Sequence, residues 1–315
     1  MYNKFKEPSF AIFFILLFSI SVSNCQDSSA KTEALQIAYL SENCSACHAL
    51  LPGNNQSAPT ILEIKEIYSK SVSDESNFLL KVKTYLTEPK AEHSLNAEWV
   101  EKYGVMPKMN FSEKRLNASL AYLYSKDWGS LRWQSRNKHW LDDQKALSKV
   151  LYDDMSPLEI AQSAAMKTKS ALGSQLLQAI KEKGIEGAVG FCKIEAIPIT
   201  ERMSHELKLD IRRVSDRPRN PANRTNQNEL LMIKNYKEKV LIKAKLEPTV
   251  INEPSQTISY FPIETNEMCL QCHGIKGQNL KTNVYKAIVS AYPSDEATGY
   301  QSGEIRGLFR VIQKK

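Results

Sequence analysis

The chain has 315 residues, 42% hydrophobic and 24% charged, and its 42 Lys and Arg against 35 Asp and Glu give a formal net charge of +7. That length suggests two domains rather than one. The basic excess is uneven, 11 basic residues against 12 acidic over 26–126 but 29 against 22 over 127–315; with no nucleic-acid-binding motif, it argues against DNA or RNA and for solubilising charge, an acidic protein partner or an anionic ligand.

The N-terminus places Lys4 and Lys6 before an apolar run, Phe10 to Phe18 extended by Ser19-Ile20, followed by Ser21-Val22-Ser23-Asn24-Cys25. This pattern predicts an export signal over residues 1–24. Its apolar core is far short of the ~20 residues that span a bilayer. Val22-Ser23-Asn24-Cys25 resembles the lipobox of bacterial lipoproteins. That resemblance implies lipidation of Cys25 and a chain anchored on the periplasmic side of a bacterial membrane, inner or outer. Asn24 departs from the usual Gly or Ala, so a plain signal peptide cut near Cys25 is the alternative.

From Lys31 to Leu40, Leu35, Ala38 and Tyr39 predict a short helix. It leads into Cys44-Ser45-Ala46-Cys47-His48, and the same pattern returns as Cys269-Leu270-Gln271-Cys272-His273. Cys-x-x-Cys-His attaches c-type haem, two thiols tethering the porphyrin while the imidazole binds iron. On a helical turn these positions share a face roughly 100° wide, so all three side chains address one porphyrin edge. Two covalent haem c groups are therefore expected, on Cys44, Cys47 and His48 and on Cys269, Cys272 and His273. A zinc site needs no His beside each pair, and a thioredoxin-like dithiol belongs near a βαβ pattern that neither run inhabits. Export agrees, because bacterial c-type haem is attached outside the cytoplasm. With Cys25 lipidated, only Cys192 is left over, and no pair remains for a disulfide.

Gly104-Val105-Met106-Pro107-Lys108-Met109 follows, and then Ser112 reads as the N-cap of a helix carrying Leu116, Leu120 and Leu123. This order over about residues 30–127 resembles a class I cytochrome c, which implies an all-α domain over 25–127. In that family the sulfur before the proline is the sixth iron ligand, which carries the role onto Met106, with Met109 the rival. Either could instead be packing. Trp128, Trp133 and Trp140 among Arg132, Arg136, Lys138 and His139 suggest a join over 128–141, or else the last turn of the first domain.

In the second half a helix is expected from about Ser156 to Lys183, with Ala161, Ala165, Leu172, Leu176 and Ile180 on one face and Gly184 ending it. A further helix would carry Phe191, Cys192 and Ile194. Leu209 to Val214 reads as a strand, Arg217 to Thr225 as a loop, and Asn228 to Lys243 as a helix. Val250-Ile251 and Ile258 to Phe261 read as a hairpin, and Gly307 to Ile312 as a closing strand. The mixture is α+β. For the second haem the residues leave Cys192, His205, Met203 or an open position as the sixth site, and Cys192 could equally be buried packing.

Phe191-Cys192 with Ala196, Arg213 with Ser215, Arg219-Asn220-Pro221-Ala222-Asn223, and Cys269 to Gly274 continue into Tyr292-Pro293-Ser294-Asp295, Ala297-Thr298-Gly299-Tyr300 and Gly303-Glu304-Ile305-Arg306-Gly307. Residues 142–315 thereby resemble the Tll-type c-haem domain, which implies a PAS-like α/β fold and iron held by His273 and a distant cysteine, here Cys192. Val214 stands where Thr is expected and Glu304 where Asp is common. Arg213 and Arg219 would bind haem propionates or keep Cys192 ionised, or else lie on the surface.

Thioether ligation at Met106 favours Fe(II) and thiolate ligation at Cys192 favours Fe(III), so the first haem should have the higher potential. The chain thus reads as an exported, lipid-anchored dihaem cytochrome that passes single electrons between redox proteins, rather than as an enzyme. A haem-based redox or gas sensor is the alternative. A dihaem peroxidase is a second alternative, for which only Glu195, His205 and Glu206 offer acid-base groups. His93 and His139 read as ordinary surface or core histidines.

Overall fold

The computed structural model describes residues 29–45, 47–49, 58–106, 108–109 and 111–315. The export segment with Cys25 lies outside them, as do Ala46 of the first haem motif and Pro107 of the Met-Pro loop.

Among the described residues the N-terminal part is built from helices. Residues 29–44 form α1, longer than the segment the apolar spacing marked. Helices α2 (Ile61–Lys70), α3 (Glu75–Thr87) and α4 (Ala97–Tyr103) lie between the first motif and the Met-Pro loop, a stretch for which the sequence reading named no element. Each starts where a side chain takes an otherwise orphaned backbone N–H: Thr60 in a capping box with Glu63, then Asp74 and Asn96. Gly104 at φ +77° ends α4, a conformation that favours glycine. Helix α5 (Glu113–Ser125) begins at Ser112 as expected, although the Ser112 hydroxyl makes no capping bond.

Helices α6 (Leu131–Asp142) and α7 (Gln144–Asp154) complete this layer. Trp128 and Trp133 are buried in one core with Leu116, Leu120, Leu147 and Leu151. The tryptophan segment is therefore not a spacer between two cores. The two indoles stack with centroids 4.5 Å apart, and Trp133 Nε1 donates to Tyr122 Oη at 3.0 Å. A stacked pair of this kind is worth about 0.5–1.5 kcal/mol beyond its burial; the Trp133 N–H is satisfied, whereas the buried Trp128 N–H has no hydrogen-bond partner.

The C-terminal region is α+β. Helix α8 (Pro157–Leu207) opens with a Ser156–Glu159 capping box and Pro157 in its first turn, and it breaks at Gly184, where φ is +69°. Strand β1 (Asp210–Val214) and helix α9 (Gln227–Leu241) follow. Strands β2 (Thr249–Asn252) and β3 (Gln256–Glu264) form the expected hairpin. Helices α10 (Glu267–His273) and α11 (Thr282–Ala291) precede β4 (Ile305–Lys314). The four-stranded sheet is antiparallel throughout, in the order β1-β4-β3-β2.

Strand periodicity divides the core in two. Phe261, Phe309 and Val311 pack with Ala161, Ala164 and Ala165 of α8, while their neighbours Tyr260 and Leu308 face Ile233 and Tyr236 of α9. Alanines on α8 let the helix lie close to the sheet. Gly307 allows β4 its own close approach, because a Cβ there would lie 2.3 Å from the Val214 carbonyl oxygen.

Polar bonds tie the two regions together. Arg115 on α5 donates to Glu159 on α8 at 2.6 Å and to Asp154 at 3.1 Å, and Lys108 pairs with Glu264 on β3 at 2.9 Å.

Candidate functional site

Cys44 closes α1, and the chain turns so that the His48 N–H donates to the Cys44 carbonyl at 2.8 Å. His48 Nδ1 lies 2.6 Å from the Pro59 carbonyl oxygen. A carbonyl can only accept, so that bond puts the proton on Nδ1 and leaves the lone pair of Nε2 for a metal. Burial lowers the proton affinity of His48, which favours the neutral ring a ligand needs. Burial also pushes the Cys44 thiol up to about 12, with the Cys47 thiol adding to the effect. A thioether carries no charge, so this environment suits a sulfur bonded to a porphyrin vinyl carbon.

These side chains face a largely apolar cavity of about 1430 Å³, open mouth included. Tyr68, Val82, Leu116 and Leu120 contribute to its walls. Both Met106 and Met109 reach it, the former half-buried and the latter buried. Tyr85, from α3, accepts a bond from the Met106 backbone N–H at 3.2 Å. The structure brings both methionines to the cavity and does not choose between them.

The second motif occupies α10. Asn266 caps it, accepting from the Cys269 N–H at 3.1 Å. Gly274 ends it where no other residue fits, since a Cβ would meet Asn279 Oδ1 at 1.9 Å and the Leu270 carbonyl oxygen at 2.5 Å. His273 Nδ1 lies 2.7 Å from the Ala297 carbonyl oxygen, repeating the arrangement at His48. Arg306 Nε also lies 3.3 Å from that nitrogen. A ring nitrogen that donates to Ala297 cannot accept from Arg306, and the shorter contact to an obligate acceptor decides the tautomer. Burial, with Arg306 and Arg219 nearby, holds the His273 ring well below its ordinary proton affinity.

The loop after α11 is strapped to the motif. Tyr300 N–H donates to the His273 carbonyl at 2.9 Å and Gly299 N–H to the Gly274 carbonyl at 2.8 Å. Tyr300 meets His273 edge-on at 6.3 Å, and its ring carries Arg217 at 4.4 Å and Arg306 at 5.5 Å. Arg306 Nη1 is fixed by Ser215 Oγ at 2.7 Å. Arg219 donates to Asp295 at 2.9 Å and to the Cys272 carbonyl at 2.7 Å. It is a brace for the motif, rather than the surface arginine that was one alternative.

Past the Gly184 break, α8 packs Val189 among Leu280, Val284 and Ile288 with Cys272 against them. Cys192 follows one turn later. Burial raises its thiol, and Arg213 and Arg219 act in the opposite sense. Arg213 Nη2 reaches the Ala196 carbonyl at 3.4 Å, but its buried Nε has no hydrogen-bond partner. An orphaned guanidinium N–H beside a thiol and a Cys-x-x-Cys-His turn fits an anionic group such as a propionate or a thiolate.

The other candidates lie apart. His205 is exposed in the last turn of α8, about 20 Å along the helix axis from Cys192 at 1.5 Å per residue. His139 is exposed too, and His93 is half-buried. Nothing in the sequence alone assigns individual roles to Arg306, Arg217 and Tyr300, though they fall within or beside the motif blocks. The Pro59 and Ala297 carbonyls have no side-chain signature at all.

Comparison with known proteins adds two findings. The model of the Tll0287-like family matches residues 134–313, more than half of the chain and beginning within α6. A solved structure, that of the cyanobacterial heme-protein Tll0287, is similar at 17% identity over 45% of this chain and 93% of that one, with a TM-score of 0.32. No curated protein matches.

Proposed function

This chain belongs to the Tll0287-like family, and from that premise we propose that it is an exported dihaem c-type cytochrome that transfers single electrons. One observation carries the reading: both motif histidines direct Nδ1 to a main-chain carbonyl, at 2.6 and 2.7 Å, leaving Nε2 for iron. Each haem would supply an iron that cycles between ferric and ferrous.

The remaining work belongs to the chain. An N-terminal class I cytochrome c-like domain would hold one haem through Cys44, Cys47 and His48, with the Met106 or Met109 thioether as a further iron ligand. A PAS-like C-terminal domain would hold the other through Cys269, Cys272 and His273, with Cys192 as a further iron ligand. Arg213 would neutralise the thiolate or a propionate, and Arg219 would keep the motif in place. A neutral thioether favours the ferrous state and an anionic sulfur the ferric, so the first site would have the higher potential. Lipid on Cys25 would hold the chain at the periplasmic side of a bacterial membrane, where its donor and acceptor would be other redox proteins.

The test is the mass of protein matured with the haem-attachment machinery, followed by an optical redox titration and an EPR spectrum of the oxidised form. Two porphyrin adducts, two separated potentials and distinct His/Met and His/thiolate signatures are expected. Fewer than two adducts, or a single potential, overturns the reading. Carbon monoxide added to the reduced protein separates electron transfer from gas sensing, since a sensor would shift its spectrum.

A further inference from the structure

The first cavity is not closed by the N-terminal helices alone. Its wall continues onto α8 through Lys169, Gly173 and Leu177, and onto α10 through Met268. Met268 is the residue immediately before Cys269, the first thiol of the second motif. Neighbouring Cα atoms are about 3.8 Å apart, and neighbouring side chains on a helix diverge by about 100°. One residue of α10 thus walls the first cavity while the next would carry the covalent edge of the second porphyrin.

The junction is pinned by polar contacts. Lys169 Nζ donates to the Lys108 carbonyl in the Met-Pro loop, and Lys108 Nζ pairs with Glu264 at 2.9 Å on the strand that leads to α10. Burial lowers the proton affinity of Lys169, while Cys269 and Glu264 lie near enough to oppose that effect.

We propose that the two haems exchange electrons directly within one chain, across the thin wall formed by Met268 and the Lys169 turn of α8, with no carrier protein between them. This rests on the dihaem reading above. One electron leaves the iron at His273, which goes from ferrous to ferric, and enters the iron at His48, which goes from ferric to ferrous. No bond forms or breaks and no proton moves. A one-electron donor protein would reduce the first of these irons, and a one-electron acceptor would reoxidise the second. Met268 places a polarisable thioether in the wall rather than water.

The experiment delivers less than one electron per chain to the full-length, doubly loaded protein by a light pulse and follows both haem bands. A first-order exchange whose rate does not change with protein concentration is expected. It should slow several-fold in Met268→Ala and stay near the parent value in Met268→Leu, which keeps the volume. A rate proportional to protein concentration, or one indifferent to Met268→Ala, overturns the proposal. Should the alanine variant not fold, the parent protein decides alone: its oxidised EPR signal should relax faster than that of a Cys269→Ala, Cys272→Ala form lacking the second haem, and equal relaxation counts against direct contact. A mass showing one porphyrin would instead bring down the dihaem reading and this proposal with it, whereas two porphyrins with concentration-dependent exchange sink this proposal only.

Discussion

The two Cys-x-x-Cys-His turns share the spacing of their cysteines and histidine and a histidine geometry but sit in opposite surroundings. The first opens on an apolar cavity where the nearby candidate ligands are neutral thioethers, Met106 and Met109. The second is ringed by Arg213, Arg217, Arg219 and Arg306, of which Arg219 has the buried carboxylate of Asp295 as partner. A motif of this kind decides where a porphyrin is attached. The groups around it decide what its iron does.

The bluntest way to break the comparison is to remove one side. Cys269→Ala with Cys272→Ala should cost one porphyrin adduct by mass and leave the first haem's optical spectrum in place. Cys192→Ser is subtler, since it would keep the attachment but remove the proposed thiolate ligand. The second haem's potential should rise by more than about 59 mV, a tenfold change in the ratio of its oxidised to reduced forms, and narrow the gap between the two sites. Spectroelectrochemical titration measures it, and an unchanged potential excludes Cys192 as ligand.

Arg219→Ala asks whether the cationic ring is structural. Breaking its buried pair with Asp295 and its bond to the Cys272 carbonyl should destabilise the C-terminal region by about 3–5 kcal/mol in a denaturant titration. The smallest effect concerns the latch between the regions. The Arg115 guanidinium holds Glu159 down at about 2, below its ordinary 4.5. A carboxylate with a depressed folded pKa stabilises above its unfolded pKa, and that contribution is lost as pH falls from about 4.5 through about 2. With the pair partly exposed, the loss should be about 1–2 kcal/mol, and Glu159→Gln should flatten the stability profile over that window.

Much of the C-terminal fold is legible in the residues. Alanine and leucine spacing marks α8, Gly184 marks its break, and apolar runs mark the hairpin and β4. Helix α11 carries Val284, Ile288 and Ala291 at helical spacing, a signal that was there to be used. The early helices α2 to α4 are harder, because their caps are plain but their short apolar faces do not stand out from loop. The packing of Trp128 and Trp133 into the first core rests on their meeting α5 and α7, and that meeting no local pattern reveals. Likewise the cysteines and histidines of both sites can be read directly, whereas the choice between Met106 and Met109 cannot, since both sulfurs reach one cavity.

The orientation of each imidazole depends on a peptide oxygen, from position 59 in one case and 297 in the other. Every amino acid supplies such an oxygen. Replacement of Pro59 or Ala297 leaves the acceptor in place so long as the local chain path survives, and drift in identity there is tolerated. Changing the length of either segment is different: one inserted residue swings the oxygen aside, frees the ring to rotate, and undoes at a stroke what no exchange of side chains at those positions could.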